Sequence, residues 1–333
     1  MKLEQMPRYP LLCGFTPLQR MENLEQALGC GPLYIKRDDL TPLGLGGNKT
    51  RKLEFLLGDA LAGGADTLVT VGGVQTNHGR LTAAAAAKAG LACTLVLDGA
   101  RPEKLSGNLL LDCLLGASLV YTDRRSASAV IEETLAALQA AGRAPYFIPE
   151  GGSNAVGSAG YLAMVPELLA QADSLPVPPA RLVCTMGSLG TFAGLWLGAR
   201  AFGAPFSVTG VAVNPTTGYT REKAAALVNE MSAAYGLDIA AAPQDMDIIY
   251  ADAAHDYAGP GYNVPDAKTR GAVELLARTE GIFLDPCYTA KSFRGFCDIA
   301  RELDSGAIFV HTGGTPALWT QEHLDAFAAD YWN

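Results

Sequence analysis

A lysine at the end of a glycine-rich segment is the first residue whose setting suggests chemistry. Lys49 closes the run GGNK at residues 46–49, and the pattern that follows predicts a helix beginning at this point. The partial positive charge of a helix N-terminus, together with neighbouring Arg51 and Lys52, disfavours a protonated amine. A lysine with a lowered pKa can act as a nucleophile and form a Schiff base. The alternative interpretation is a solvated basic turn.

The segment MGSLGT at residues 186–191 is the clearest candidate for anion binding. It follows a predicted strand and opens a predicted apolar helix. N–H groups at a helix start are unpaired and the helix dipole favours a phosphate, while Ser188 and Thr191 add hydroxyl donors. The segment lacks the GKS/T of a P-loop and the spacing of a dinucleotide fingerprint. A capped helix start without a ligand is the alternative.

A third segment, GGVQTNH at residues 72–78, places polar side chains at the first turn of an Ala-rich helix. The free N–H groups of that turn are suited to a substrate carboxylate. Thr76 has a simpler interpretation as the helix cap. His78 is a candidate base, although an exposed first-turn histidine with no catalytic role is the commoner case.

Two tyrosines and a threonine complete the candidates. Tyr262 and Tyr288 each lie in a turn-rich stretch, residues 257–265 and 284–292, where they can serve as acid or base groups or as packing aromatics. Thr312 opens a Thr-Gly-Gly segment after a late apolar run. No HExxH, GxSxG or carboxylate-rich motif occurs, so we predict no metal site and disfavour serine-hydrolase chemistry.

The elements that must position these residues alternate between strand and helix, which predicts mostly parallel sheets covered by helices on both faces. Ligands on such sheets bind beyond the carboxyl ends of the strands, where the glycine-rich segments fall. The predicted strands are residues 67–71, 93–97, 118–121, 145–148, 181–185, 206–213, 246–250 and 307–311. The predicted helices are residues 77–89, 105–115, 126–141, 224–235 and 266–279, with another from about residue 191.

Composition narrows the class of protein. A chain of 333 residues with 49% hydrophobic and 18% charged residues suggests about two well-packed domains. The net charge of −9 opposes nucleic-acid binding. Seven cysteines without a CxxC pair argue against a disulfide framework and favour a reducing compartment. Residues 1–10 contain no apolar signal segment, and no apolar run has the length of a membrane helix. We therefore expect a cytoplasmic protein without membrane partners.

Taken together, these segments resemble pyridoxal-phosphate enzymes of the tryptophan synthase β-like fold, in the branch of D-cysteine desulfhydrase and 1-aminocyclopropane-1-carboxylate (ACC) deaminase. The resemblance implies two α/β domains with open, twisted, mostly parallel sheets, pyridoxal 5′-phosphate as cofactor, and a homodimer. It assigns residues 1–51 and 155–333 to a large cofactor-binding domain and residues 52–154 to a small domain. The matching stretches are residues 34–40, 46–55, 72–78, 151–154, 187–191, 285–288 and 311–314.

The resemblance also implies roles for single residues. Lys49 matches the lysine that forms the Schiff base and then moves the Cα proton, and Asn77 matches the residue that hydrogen-bonds the pyridoxal 3′-oxygen. Thr76, Tyr262 and Tyr288 are expected in catalysis. The expected substrate-binding residues are Thr76, Asn77, His78 and Tyr288. The remaining cofactor-binding residues are expected to be Asn48, Gly187, Ser188, Leu189, Gly190, Thr191 and Thr312.

One position favours one branch of the family. ACC deaminases carry a glutamate after the tyrosine that matches Tyr288, near the pyridine nitrogen, whereas this chain has Thr289. A hydroxyl there favours β-elimination of a good leaving group, most simply D-cysteine to pyruvate, hydrogen sulfide and ammonia. The branch usually has serine where this chain has Thr76. L-Cysteate sulfo-lyase, with Arg37, Arg80 or the pair Arg124–Arg125 assisting a sulfonate, and ACC deaminase are alternatives. A non-catalytic amino-acid-binding protein is an alternative of another class.

Overall fold

Two separate sheets organise the chain. The computed structural model describes residues 2–214, 218–252, 254–303 and 305–332. In this part of the chain, the larger sheet has six strands in the order β1-β2-β10-β7-β8-β9, all parallel except the antiparallel edge pair β1–β2. The smaller sheet has four parallel strands in the order β5-β4-β3-β6. The prediction of mostly parallel sheets is confirmed.

The bounds of the elements are as follows. The strands are β1 (Leu18–Arg20), β2 (Leu33–Lys36), β3 (Thr67–Gly73), β4 (Ala92–Asp98), β5 (Ser118–Thr122), β6 (Pro145–Ile148), β7 (Pro179–Met186), β8 (Ser207–Ala212), β9 (Ile248–Ile249) and β10 (Gly306–Val310). The helices are α1 (Glu22–Leu28), α2 (Lys49–Ala62), α3 (Asn77–Ala89), α4 (Gly107–Leu114), α5 (Ala127–Ala140), α6 (Ala155–Leu162), α7 (Met164–Ala172), α8 (Gly190–Ala201), α9 (Arg221–Tyr235), α10 (Ala267–Glu280), α11 (Thr289–Arg301) and α12 (Gln321–Trp332).

Alternation of apolar side chains lets the larger sheet bury both faces. On β7, Leu182 and Cys184 belong to one buried cluster and Val183 to another, because successive side chains point to opposite faces. The first cluster is completed by α6 to α9 and the second by α10 and α11. The smaller sheet packs against α2 and α3 through a third cluster. Each sheet therefore has its own core.

Helix α3 shows how local sequence sets an element beside the site. The hydroxyl of Thr76 accepts a hydrogen bond from Gly79 N–H at 3.2 Å, which caps the helix. Gly90 ends it with φ of +73°, a backbone conformation that glycine adopts without strain. The predicted range 77–89 is confirmed.

The sequence-based prediction was less complete elsewhere. The predicted strand 246–250 shrinks to the two residues Ile248–Ile249. Helices α1, α6, α7, α11 and α12 were not predicted. Helix α6 is buried on nearly every side, so the polar face that would reveal a helical period is missing from its sequence.

Three further observations concern the described part of the chain. Strands β3 to β6 all lie between residues 52 and 154, but the predicted domain division remains a prediction. No helix there combines the length and apolarity that crossing a membrane requires. No cluster of three or more His, Cys, Asp or Glu side chains there is arranged to hold a metal ion.

Candidate active site

A cavity of about 890 Å³ lies where the carboxyl ends of strands from both sheets face each other. From the smaller sheet it is lined by the end of β3 and the first turn of α3. From the larger sheet it is lined by the turn after β7 and the segment after β10. Eleven of the thirteen residues predicted for catalysis, cofactor or substrate line this cavity, namely Asn48, Lys49, Thr76, Asn77, His78, Gly187, Ser188, Thr191, Tyr262, Tyr288 and Thr312. The other two, Leu189 and Gly190, are buried next to them.

Lys49 is the first residue of α2, and its amine is held at the wall of the cavity. Its Nζ donates a hydrogen bond to Asn48 Oδ1 at 2.9 Å. Asn48 in turn donates from Nδ2 to Thr191 Oγ1 at 3.0 Å, and from its backbone N–H to the carbonyl of Thr312 at 3.0 Å. Asn48 thus joins the lysine to both glycine-rich segments of the larger sheet.

Burial, and then the charge of the buried Arg80 guanidinium, lowers the pKa of Lys49 to about 8, against the opposing effect of the carboxylates of Asp285 and Glu150. The predicted lowering is therefore confirmed, but part of its predicted cause is wrong. Arg51 points away from the cavity and pairs with Asp38 at 2.8 Å. The cation that acts on Lys49 comes from α3, which is distant in sequence.

The turn between β7 and α8 forms a cradle that side chains would fill. A Cβ at Gly187 would lie 2.7 Å from the ring of Tyr288, and one at Gly190 would lie 2.8 Å from Lys52 Nζ. The first N–H groups of α8 have no acceptor within the helix, because an α-helix leaves its first turn unpaired. The segment can accept an anion at its glycines, as the sequence predicted.

Two polar side chains beneath this cradle were missed by the sequence analysis. Lys52 Nζ is buried and donates to Gly151 O at 2.9 Å and to Ser153 Oγ at 3.2 Å. Ser153 Oγ donates to Ser188 Oγ at 2.8 Å and accepts from Gly190 N–H at 3.1 Å. Burial, and then the nearby charge of Lys49, lowers the pKa of Lys52 well below its usual value. The spacing of three residues between Lys49 and Lys52 was the available signal, since it places both on one helix face.

The two tyrosines meet across the cavity. The rings of Tyr262 and Tyr288 are edge to face, with centroids 5.7 Å apart. Tyr288 lies over Gly187, and Tyr262 lies over Gly73, where a Cβ would be 3.2 Å from its ring. Burial of the hydroxyl groups raises the pKa of both phenols well above the usual value. Both therefore stay protonated near neutral pH, as an acid must.

The first turn of α3 carries Thr76 and Asn77 to the cavity. The methyl of Thr76 lies toward Gly79, where a Cβ would be only 2.4 Å from it. The methyl that distinguishes threonine from serine is thus accommodated by a glycine. Asn77 Nδ2 lies 2.9 Å from the position of a Cβ on Gly314, at the opposite wall. Its Oδ1 accepts a hydrogen bond from Asn108 Nδ2 at 2.9 Å.

His78 differs from the exposed first-turn histidine that the sequence suggested. Its side chain is 4% exposed, and its Nε2 lies 2.8 Å from Thr70 Oγ1. Because Thr70 Oγ1 donates its own hydrogen to Ile148 O, it accepts from His78, so Nε2 carries the proton. Burial, followed by the charges of Lys49 and Lys52, lowers the pKa of His78 well below its usual value. Its role toward substrate remains a prediction.

Of the two threonines that the resemblance brings into question, Thr289 and Thr312, only Thr312 lines the cavity. Thr289 is buried at the start of α11, where its hydroxyl donates to Asp285 Oδ1 at 2.6 Å and accepts from Asp285 N–H at 2.8 Å. The carboxylate of Asp285 also accepts from the backbone N–H groups of Cys287 and Tyr288. Asp285, which the sequence analysis did not single out, therefore holds the turn that carries Tyr288.

The arginines considered for a sulfonate lie in three different settings. Arg37 donates to Asp39 at 2.7 Å. Arg80 is fully buried and donates to backbone carbonyls of the loop before Lys49. Arg124 lines the cavity at its mouth, and Arg125 next to it is exposed.

Comparison with known proteins identifies the family of this chain. The family model for "Pyridoxal-phosphate dependent enzyme" matches residues 10–313. The chain belongs to this family. It is 42% identical over 327 residues to a D-cysteine desulfhydrase of Klebsiella pneumoniae subsp. pneumoniae, covering 95% of this chain and 97% of the relative. It is 40% identical over 328 residues to a D-cysteine desulfhydrase of Yersinia enterocolitica, covering 96% and 97%.

A solved structure supports the fold assignment. The crystal structure described as that of "the ACC deaminase homologue" superposes with a TM-score of 0.88 at 36% identity, covering 98% of this chain and 97% of the other. The family's cofactor fits the residues present. The glycine cradle and the Lys52 amine beneath it suit a phosphate, and the Lys49 amine suits an aldehyde carbon.

Proposed function

We propose that this protein is a carbon–sulfur lyase that converts D-cysteine and water to pyruvate, hydrogen sulfide and ammonia with pyridoxal phosphate. The observation that carries the proposal is the Lys49 amine at the cavity wall, with a pKa lowered to about 8, beside a glycine cradle and two protonated tyrosines. Relatives at 40–42% identity named as D-cysteine desulfhydrases support this choice of substrate.

The residues divide the work between binding and proton transfer. The first turn of α3, with Thr76 and Asn77, offers N–H and hydroxyl donors to the substrate carboxylate. Lys49, as a free amine, removes the Cα proton, because an amine with a pKa of about 8 is partly unprotonated near neutral pH. When bound, pyridoxal phosphate supplies the electron sink that accepts the charge developed at Cα.

Departure of the sulfur requires an acid, and we assign this role to the tyrosine pair. The Cβ–S bond breaks with its electron pair on sulfur, and a proton from a phenol hydroxyl converts the departing hydrosulfide ion to hydrogen sulfide. Tyr288 and Tyr262 lie edge to face at the cavity wall, and burial favours their neutral form. After protonation of sulfur, water hydrolyses the released enamine to pyruvate and ammonia.

L-Cysteate is the second candidate substrate. Arg124 at the cavity mouth offers a guanidinium to a sulfonate, with sulfite as the expected product. The buried Arg80 is already engaged, because its guanidinium donates to backbone carbonyls of the loop before Lys49. A sulfonate would therefore bind toward the mouth and not at the base of the cavity.

The proposal also includes the oligomeric state and the cellular compartment. We propose a homodimer, supported by large apolar side chains exposed on the surface, among them Phe15, Phe283 and Trp319. We also propose that the protein works in the cytoplasm, supported by seven cysteines that are all free. Light scattering of the purified protein tests the first, and fractionation of the native host tests the second.

The absorption spectrum of the purified protein tests the proposed function. With pyridoxal phosphate we expect a band near about 410–420 nm, as for a protonated pyridoxal imine. Addition of D-cysteine, L-cysteate and ACC in separate cuvettes should yield pyruvate only with D-cysteine, accompanied by sulfide.

Two lysine variants test the assigned residue. Lys49→Ala should lose the band and the activity, whereas Lys88→Ala, which changes an exposed lysine on α3, should keep both. A band that persists in Lys49→Ala would refute the assigned lysine. Sulfite from L-cysteate or 2-oxobutanoate from ACC would identify the alternative substrate, and amino-acid binding without the cofactor would favour a non-catalytic protein.

A further inference from the structure

Asn108, on the first turn of α4, is a fully buried amide that the proposed mechanism does not use. Its backbone N–H donates to Gln75 Oε1 at 2.9 Å, and its Nδ2 donates to Gln75 O at 2.9 Å. The same Nδ2 donates to Asn77 Oδ1 at 2.9 Å, and its Oδ1 accepts from Arg80 Nε at 2.7 Å. Every polar group of the side chain is therefore engaged.

Arg80 determines which atoms donate and which accept in the hydrogen bonds around Asn108. Arginine has five donors and no acceptor, so the atom of Asn108 that faces Arg80 must be the carbonyl oxygen. The other end of that amide must then be the NH₂ group, which donates to Asn77. Asn77 must accept with Oδ1, and its own NH₂ group is left pointing toward the cavity and Gly314.

We propose that Asn108 is a positioning residue that fixes the orientation of the Asn77 amide. Because Arg80 donates to Asn108 Oδ1, Asn108 must donate to Asn77 Oδ1, and Asn77 then presents an N–H donor, and not a carbonyl, to the cofactor. The inference rests on the proposed function and on the role toward the pyridoxal 3′-oxygen that the family resemblance implies for Asn77. Within the described residues, Asn77 Nδ2 makes no hydrogen bond, which leaves it available for an acceptor on the cofactor. An amide free to rotate would present its carbonyl part of the time.

Asn108→Asp tests this inference because it replaces the group that donates to Asn77 Oδ1 with one that can only accept. The carboxylate still accepts from Arg80 but has no donor for Asn77, so the Asn77 amide turns over and presents its carbonyl to the cavity. We expect the affinity of the apoprotein for pyridoxal phosphate, measured by titration of protein fluorescence, to fall about 10- to 100-fold. Asn229→Asp is the control for the change of amide to carboxylate, since exposed Asn229 donates one similar amide hydrogen bond to Ala241 O, remote from the cavity.

A double-mutant cycle with Asn77→Ala separates positioning from a change in fold or charge. If Asn108 acts through Asn77, adding Asn108→Asp to Asn77→Ala should change the affinity less than about twofold. A loss of similar size in both backgrounds would mean that the new charge or a distorted loop is responsible, and would overturn the proposal. Unchanged affinity in Asn108→Asp alone would also overturn it.

Two further measurements keep the test decisive. Thermal unfolding of each apoprotein shows whether the variant folds. If Asn108→Asp does not, Asn108→Ala replaces it, with an expected loss of threefold or more that disappears in the Asn77→Ala background, and a loss that persists there contradicts the proposal. Failure of the unsubstituted protein to bind pyridoxal phosphate would refute the proposed function itself, whereas normal binding with an indifferent Asn108 refutes only this inference.

Discussion

Two groups of buried or half-buried cations lie around the first turn of α2 and differ in the partners that their charges meet. In the first, Arg51 pairs with Asp38 and Glu167 at 2.8–2.9 Å, and buried Lys36 pairs with Glu167. We call this the paired cluster. In the second, which lines or underlies the cavity, the cations are Lys49, Lys52 and Arg80, and their hydrogen-bond acceptors are amide, hydroxyl and backbone oxygens. We call this the cavity cluster.

The pKa values of the two buried arginines follow this difference, whereas burial lowers the pKa of Lys36 in spite of its pairing with Glu167. Despite burial, the carboxylates of Asp38 and Glu167 raise the pKa of Arg51, and its guanidinium lowers theirs. In the cavity cluster, burial lowers the pKa of Lys49 to about 8 and that of Arg80 to about 10. The paired cluster is neutralised within the protein and supports the fold. The cavity cluster lacks such neutralisation and is suited to receive an anion such as a phosphate.

The largest expected effect comes from breaking the paired cluster. Arg51→Met leaves two buried carboxylates without their guanidinium partner, which we expect to lower the free energy of unfolding by about 3–5 kcal/mol. Urea unfolding of the apoprotein measures it. Arg301→Met, which removes an exposed pair with Asp298, is the control and should cost less than about 1 kcal/mol. Equal losses for the two variants would contradict the distinction.

Two fully buried lysines offer a matched pair, one from each cluster. Lys52→Met removes a cation without a carboxylate partner, so the apoprotein should keep its stability while its affinity for pyridoxal phosphate falls about 10- to 100-fold. Lys36→Met removes the partner of Glu167, so it should lower stability and leave the affinity unchanged. Thermal unfolding with and without the cofactor measures both. The comparison fails if the two variants lose affinity equally.

A buried carboxylate beside the cavity cluster should reveal itself through pH. Both oxygens of Asp112 lack a hydrogen-bond partner in the described part of the chain, and burial raises its pKa to about 7. The native state then binds a proton that the unfolded state releases near about pH 4, so stability falls as pH rises from 4 to 7. Asp112→Asn removes this loss. The free energy of unfolding of the variant, relative to that of the unsubstituted protein, should therefore be higher at pH 8 than at pH 5 by roughly 2 kcal/mol. A variant effect independent of pH in urea unfolding would contradict the assignment.

The smallest effect concerns the rate of reaction of Lys49 with the cofactor. Because only the unprotonated amine reacts, the rate of imine formation should rise about tenfold per pH unit below pH 8 and level off above it. Stopped-flow absorbance between pH 6.5 and 9.5 measures this. A free lysine analogue, with an amine pKa of about 10.4, should keep rising over the same range and is the control. A protein rate that parallels the analogue would show that Lys49 has no lowered pKa.

Much of the fold and the site could be predicted because their signals are local. The cap by Thr76 and the glycine stop at Gly90 define α3 through hydrogen bonds within a few residues. The glycine-rich segments could be placed near the cavity because carboxyl ends of parallel strands mark ligand sites. Helix α6 was missed because burial on nearly every side removes the polar face that periodicity relies on.

The sequence by itself determined the parallel α/β architecture, the lysine and the glycine cradle, because each depends on residue type and short spacing. Only the tertiary structure decided which charges meet. It turned Arg51 toward Asp38, brought Arg80 from α3 to the loop before Lys49, and placed Asn108 against Asn77. Such contacts join residues far apart in the chain, and the pKa values depend on burial and on distances that spacing along the sequence does not contain.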